Sequence, residues 1–200
     1  MCSYTMPRVV PGYKEDVRRR IVKAALEEVN ECGLHALRME DVAARVGISR
    51  ATLYNYFSDK EALLNAILEE MKEEGKAIFE DTFQDKSFRD ILSLMFELMV
   101  ISAMNLPSVE AELFSIASRT PDIQQSMQMI FEEGVRKLSE RIQEGQQNGE
   151  ISSGDDPRCL AEIVMYTLGG LKNAVFFGTD CAVLKKRWSA MTDMLFFVKK

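Results

Sequence analysis

The chain has one histidine in 200 residues and four cysteines that never approach CxxC spacing. Cys2, Cys32, Cys159 and Cys181 therefore read as separate reduced thiols, which excludes a zinc knuckle or a dithiol motif. His35 has no cysteine nearby and reads as a loop residue, so no metal site is expected. Ser/His/Asp, Cys/His, Glu-x-x-His and phosphate-loop arrangements are all missing. The chain carries no enzyme signature and calls for no cofactor.

Long apolar runs are missing too. The most apolar stretch, "ILSLMFELMVISAMNL" at 91–106, has twelve apolar positions in sixteen and carries Glu97. It falls short of the ~20 residues that a membrane span requires and reads as a buried core helix. The opening "MCSYTMPRVVPGY" has no apolar h-region, so a cytoplasmic protein is expected. With 46% hydrophobic and 28% charged residues, the chain can bury a substantial core and stay in solution. Its net charge of −6 is unevenly spread. Residues 1–60 hold ten Lys/Arg against eight Asp/Glu, and residues 61–200 hold fifteen against twenty-three. A basic contact module on an acidic body is the physical reading of that asymmetry.

No segment alternates with the period of a strand, and almost everything reads as helix. Val17, Ile21, Ala25, Val29 and Cys32 form one stripe over 14–32, stopped by Gly33. A short helix over 39–46 ends at Gly47, and the next starts from Ser49 as N-cap and runs to about Phe57. "SDKE" at 58–61 has capping-box form and opens a helix to about residue 82. Further helices are expected over Phe88 to Asn105, 108–118, from "TPD" at 120–122 to about Asn148, over 157–177, and from Thr179-Asp180 to about 198. "NGEISSGDDP" is the clearest loop. The expected fold is all-α, with about nine helices.

One corner holds the functional signal. Ala43 is small where a second helix crosses, Gly47 permits a tight turn, and Ile48 plugs the core beneath it, which is the pattern of a helix-turn-helix. Val42, Val46, Leu53 and Phe57 would hold the second helix, leaving Arg50, Ala51, Thr52, Tyr54, Asn55 and Tyr56 on its free face. Such a helix fits the ~12 Å major groove of B-DNA. Arg18, Arg19 and Arg20 read as a solvated face nearby.

The continuation "GISRATLYNYFSDKEALL" resembles the DNA-binding domain of the TetR family of transcriptional regulators, where Gly-Val-Ser, Leu-Tyr-x-His-Phe and Lys-Glu-x-Leu recur at this spacing. The resemblance is close over 14–68, and the remaining two-thirds matches in helix plan. It implies that Tyr54 and Lys60 meet phosphates, as does the hydroxyl of Thr52, and that Arg50 and Asn55 read bases. Those two side chains can bond bidentately to guanine and adenine, and Ala51 is small enough to approach a thymine methyl. Ser49 belongs to the same surface. Two positions depart from the pattern: Tyr56 replaces the usual histidine, and Arg38 replaces the usual capping threonine. A cation at a helix N-terminus opposes the dipole, so Arg38 is expected to reach a phosphate.

The expected organisation is a DNA-binding domain over 1–60, with an N-terminal arm at 1–13, and an effector-binding and dimerisation domain over 61–200. Six methionines of the body, Met71, Met95, Met99, Met104, Met127 and Met129, together with Phe79, Phe83, Phe96, Phe114 and Phe131, offer either an adaptable cavity lining or a soft core. Met95, Phe96, Glu97, Met99, Phe114, Met127 and Phe131 are the candidate effector contacts. Glu97 lies either on an exposed strip or in the interior, where it would select a cation. "LGGLKNAVFFG" at 168–178 offers Gly169 and Gly170 for close helix approach. Phe176, Phe177, Trp188, Met191, Leu195 and Phe196 supply apolar area for a dimer interface.

The resulting expectation is a homodimeric repressor released from a palindromic double-stranded operator by a small apolar or amphipathic effector. A regulator of the same family without an effector, and a helical protein-interaction module that binds no DNA, are the competing readings.

Overall fold

A computed structural model describes residues 13–101 and 107–197, leaving out the side chains of 74, 78–82, 107–110 and 176. The expectations for the arm at 1–12, for Met104, and for the side chains of Phe79 and Phe176 lie outside the described residues. Those residues form nine α-helices and no strand. The helices are α1 (Tyr13–Cys32), α2 (Met39–Val46), α3 (Arg50–Tyr54), α4 (Lys60–Phe83), α5 (Phe88–Phe96), α6 (Pro107–Ala117), α7 (Pro121–Gln147), α8 (Pro157–Phe176) and α9 (Cys181–Thr192). The chain divides into two compact units, one up to Glu70 and one from Met71, and the division falls inside α4.

In the first unit, Val17, Ile21, Ala25 and Val29 of α1 are buried with Val42, Ala43, Leu53, Phe57, Leu63 and Ile67. Gly33 closes α1 at φ 82°, a conformation that costs glycine little. Asp59, rather than Ser58 of the expected capping box, caps α4: its carboxylate accepts from the Ala62 N–H at 2.8 Å, and the Ser58 hydroxyl donates to it. The helix starts one residue later than the motif placed it, so the aspartate occupies the cap.

The second unit has its own core, in which Phe88, Ile91, Leu92, Phe96, Val135, Leu138, Ile142, Leu160, Val164, Leu184, Trp188 and Phe196 are buried. The expected helix from Phe88 ends as an α-helix at Phe96 and widens into a π-helical turn over Glu97–Ile101. A second π-helical turn, Asp193–Phe197, continues α9.

The loop after α7 is no loose connection. Ile151 is buried and lies against Gly145, where an added Cβ would come within 2.6 Å of the Ile151 Cδ1. Glu150 accepts from the Phe88 N–H at the start of α5 and pairs with Arg141 at 2.6 Å. Ser152 N–H donates to the Phe196 carbonyl at 2.8 Å.

Two of the expected interface residues are corrected by this core. Trp188 is buried in its own chain, stacked on Phe96 with its indole N–H bonded to Leu92. Phe196 is buried edge-on against Phe88. Their large apolar area fills the interior of the unit, so neither is left for a second molecule.

Candidate nucleic-acid interface

The reading corner is set by backbone geometry. Gly47 takes φ 76° and closes α2, its N–H bonding to Ala44 O at 3.1 Å and that of Ile48 to Ala43 O at 3.0 Å. Nothing lies within 4 Å of a Cβ placed on Gly47, so its conformation, rather than crowding, calls for glycine. Ser49 then caps α3, its hydroxyl accepting from the Thr52 N–H at 3.1 Å. The same oxygen lies 2.8 Å from the Thr52 hydroxyl, so the two side chains of the expected phosphate face already engage each other.

The α-helical part of α3 is the five residues Arg50–Tyr54, shorter than expected. Asn55 closes it, and the N–H groups of Tyr56 and Phe57 both turn back to the Leu53 carbonyl. Leu53 is fully buried and pins the short helix to the unit. Arg50, Ala51, Tyr54 and Asn55 are exposed, whereas Thr52 and Tyr56 are half-buried.

The cations around this face are partly committed. Arg50 pairs with Glu40 at 2.9 Å and its guanidinium lies 5.4 Å from the centroid of the Tyr54 ring. Hydrogen bonding to Tyr54, then the charge of Glu40, raises the Arg50 pKa above its ordinary value. Lys60 donates to the Leu34 carbonyl at 2.7 Å and is half-buried, tying the start of α4 to the segment after α1. Arg38 stands as the N-cap residue of α2 with no side-chain cap bond and is exposed.

Arg18 and Arg20 are more structural than a solvated face requires. Arg18 lies over the Phe57 ring at 5.3 Å, and Arg20 donates to the Val46 carbonyl at 3.2 Å. Arg45 is gripped by Glu28 and Glu31 at 2.8 and 2.6 Å. The resulting hydrogen bond to Arg45 holds the Glu31 carboxyl below its usual pKa. Sequence spacing gave no hint of the Arg45 cluster or of Glu40, because each joins different helices.

Residues 21–67 match the family model described as bacterial regulatory proteins, tetR family. The regulator UidR of Escherichia coli K12 is 28% identical over 138 residues, covering 69% of this chain and 70% of UidR. Residues 21–67 thus form a DNA-binding domain of the tetR type. Among solved structures, Salmonella enterica GusR shares the fold of this chain with a TM-score of 0.72 at 22% identity, over 98% of this chain and 99% of GusR. FadR of Bacillus subtilis, solved in complex with stearoyl-CoA, shares it with a TM-score of 0.67 at 23% identity, over 86% of this chain and 96% of FadR. The protein is thus a DNA-binding transcriptional regulator.

The expected effector residues line neither of two clefts in the second unit. Met95 and Phe96 are buried in the core, Met99 and Phe131 pack against it, Met127 is half-buried, and Phe114 is 55% exposed. Glu97 is exposed and ion-paired with Lys185 at 2.5 Å, which corrects the interior, cation-selecting alternative. Both clefts are open and charged. One of about 260 Å³ runs between Ile91 and Arg141, and one of about 320 Å³ lies beside Met129, Arg136 and Arg158. Among the described residues no helix is long and apolar enough to cross a membrane, and no metal-ligating group of three side chains occurs.

Proposed function

We propose that this protein is a cytoplasmic homodimeric repressor of the TetR family that binds a palindromic operator and is released by a small apolar or amphipathic effector. One observation carries the DNA-reading part: Gly47 and the Ser49 cap seat α3 on buried Leu53 and leave Arg50, Ala51, Tyr54 and Asn55 exposed together. Arg50 reads a guanine, Asn55 an adenine, and Ala51 meets a thymine methyl. Arg38, Ser49, Thr52, Tyr54, Tyr56 and Lys60 position the surface on phosphates.

Dimerisation is supported by the outer faces of α8 and of the α9 segment. Ile163, Tyr166 and Phe177 are 37%, 64% and 86% exposed, and Met194 in the turn after α9 is 68% exposed. Gly169 and Gly170 have nothing within 4 Å of an added Cβ, so the room they leave suits close approach by a second copy. Met191 and Leu195, half-buried and packed against the core, keep part of their apolar surface outside it. Two-fold symmetry would present two α3 helices to the two halves of a palindrome.

The effector reading rests on the methionine-rich body and on the fold shared with FadR, whose ligand there, stearoyl-CoA, is amphipathic. A ligand with higher affinity for the released state weakens operator binding, and the operator weakens ligand binding by the same factor. Met99→Trp and Met127→Trp then blunt the response while leaving operator affinity nearly intact.

The test is selection of bound sequences from a random DNA pool. A palindrome with half-sites about 34 Å apart is the expected product. Enrichment of no motif would reject the reading.

A further inference from the structure

Arg50 is gripped from two sides by groups contributed by different helices. Glu40 stands in the first turn of α2, and its carboxylate lies 2.9 Å from the Arg50 Nη1 across the Gly47 turn. Tyr54, one helical turn after Arg50, offers its ring at 5.4 Å. The Arg50 and Glu40 side chains are 64% and 49% exposed, and a pair that open adds little to folding stability. Its consequence is orientation. One guanidinium nitrogen faces Glu40, and the remaining N–H donors are left for a base edge.

We propose that Glu40 is a specificity-determining, positioning residue for DNA recognition: its carboxylate aims Arg50 and restrains it from binding phosphate wherever no guanine is offered. The proposal rests on the DNA-reading function above. Phosphate attraction is independent of sequence, so an unrestrained arginine on this face raises affinity for every DNA equally. With Glu40 present, the pair is locally neutral on a wrong sequence. On the right one, guanine O6 and N7 accept from Arg50 in its aimed position. The carboxylate has only acceptors, so it offers nothing to a phosphate in compensation.

The test uses the full-length protein and compares wild type with Glu40→Gln, Glu40→Ala, Asp41→Asn and Arg50→Ala. Asp41 is an exposed acid in the same turn of α2, so its variant matches the charge change without touching the Arg50 contact. The readouts are selected-site profiles and binding to random duplex across a salt series. Both Glu40 variants should bind random DNA about threefold to tenfold tighter near 0.1 M salt, with a salt slope steeper by about one unit. Both should lose most of the guanine preference at one position of each half-site. Asp41→Asn should keep that preference, and adding Glu40→Gln to Arg50→Ala should not alter it further. Unchanged base preference in both Glu40 variants overturns the proposal while leaving the DNA-reading function standing. Equal loss in Asp41→Asn also overturns it, since a general charge effect would suffice. A wild type that enriches no motif overturns the reading function, and Glu40's role with it.

Discussion

The indole N–H of Trp188 donates to the Leu92 carbonyl at 3.0 Å, joining α9 to α5 through the interior of the second unit. The same indole stacks on Phe96, with ring centroids 6.3 Å apart. Trp188→Ala should therefore cost about 3–5 kcal/mol of unfolding free energy, the range for truncating a buried large aromatic. Trp188→Phe keeps most of the apolar area and loses the hydrogen bond, for about 0.5–1.5 kcal/mol. Urea unfolding distinguishes these from an interface role, in which both variants would instead dissociate without a loss of protomer stability.

Gly145 is a second packing test. A Cβ there meets Ile151 Cδ1 at 2.6 Å and Cγ1 at 2.8 Å, and Ile151 is buried. Gly145→Ala should destabilise by about 1–3 kcal/mol through overpacking, despite alanine's higher helix propensity. Adding Ile151→Val removes the nearer of the two contacts, so the pair should be non-additive in a double-mutant cycle. A stabilised single variant would show that the loop after α7 yields more easily than its bonds imply.

Lys60 should act on all DNA alike. Lys60→Ala is expected to weaken binding to every sequence and to lower the salt slope by about one unit. Because Lys60 also bonds to the Leu34 carbonyl, a melting curve of the variant is needed beside the binding data. Arg50→Ala and Asn55→Ala should instead each relax one base preference by about 1–3 kcal/mol. Selected-site profiles identical to wild type would remove those two from base reading.

For assembly, the informative substitutions are on α8 and at the residue that follows it. Phe177→Asp and Gly170→Trp should give folded monomers that no longer bind the operator at wild-type affinity. Phe196→Asp should unfold the protomer, since it buries a charge beside Phe88. Sedimentation showing a dimer for both Phe177→Asp and Gly170→Trp would place the interface elsewhere.

Acid should weaken the first unit in a predictable direction. Glu31 is held below its ordinary pKa of 4.5 chiefly by its hydrogen bond to Arg45, and Asp59 below 3.8 chiefly by the Ala62 N–H. Depressed carboxyls contribute stability above their unfolded pKa values and lose it as pH falls through the folded ones. Melting temperature should therefore decline as pH drops below about 4.5. Arg45→Met should melt below wild type at pH 7 and approach it towards pH 3. A gap that stays constant over that range would show that the cluster is not coupled to Glu31 protonation.

Local rules decided much of this protein before any tertiary contact. Gly33 and Gly47 stop their helices because φ near 80° is cheap only for glycine, and Ser49, Asp156 and Asp180 cap theirs through side-chain oxygens. The recognition motif is local in the same sense: it spans two short helices and one turn, so its spacing is legible. The length of α3 was not, because the N–H groups of Asn55 and Tyr56 bond three residues back, to Thr52 and Leu53, and tighten the chain out of the α-helical ladder.

What only the tertiary structure decided are the contacts between elements far apart in the chain. Aromatic residues on a terminal helix suit a core and an interface equally well by composition. Trp188 and Phe196 became core because α5 brings Leu92, Phe96 and Phe88 against them. Glu97 became a surface ion pair because Lys185, 88 residues away, reaches it. Glu40 became Arg50's partner because the Gly47 turn folds α2 back beside α3. Helix periodicity fixes which residues share a face, but a face acquires its chemistry from the element that packs against it, and that pairing is set by the whole core.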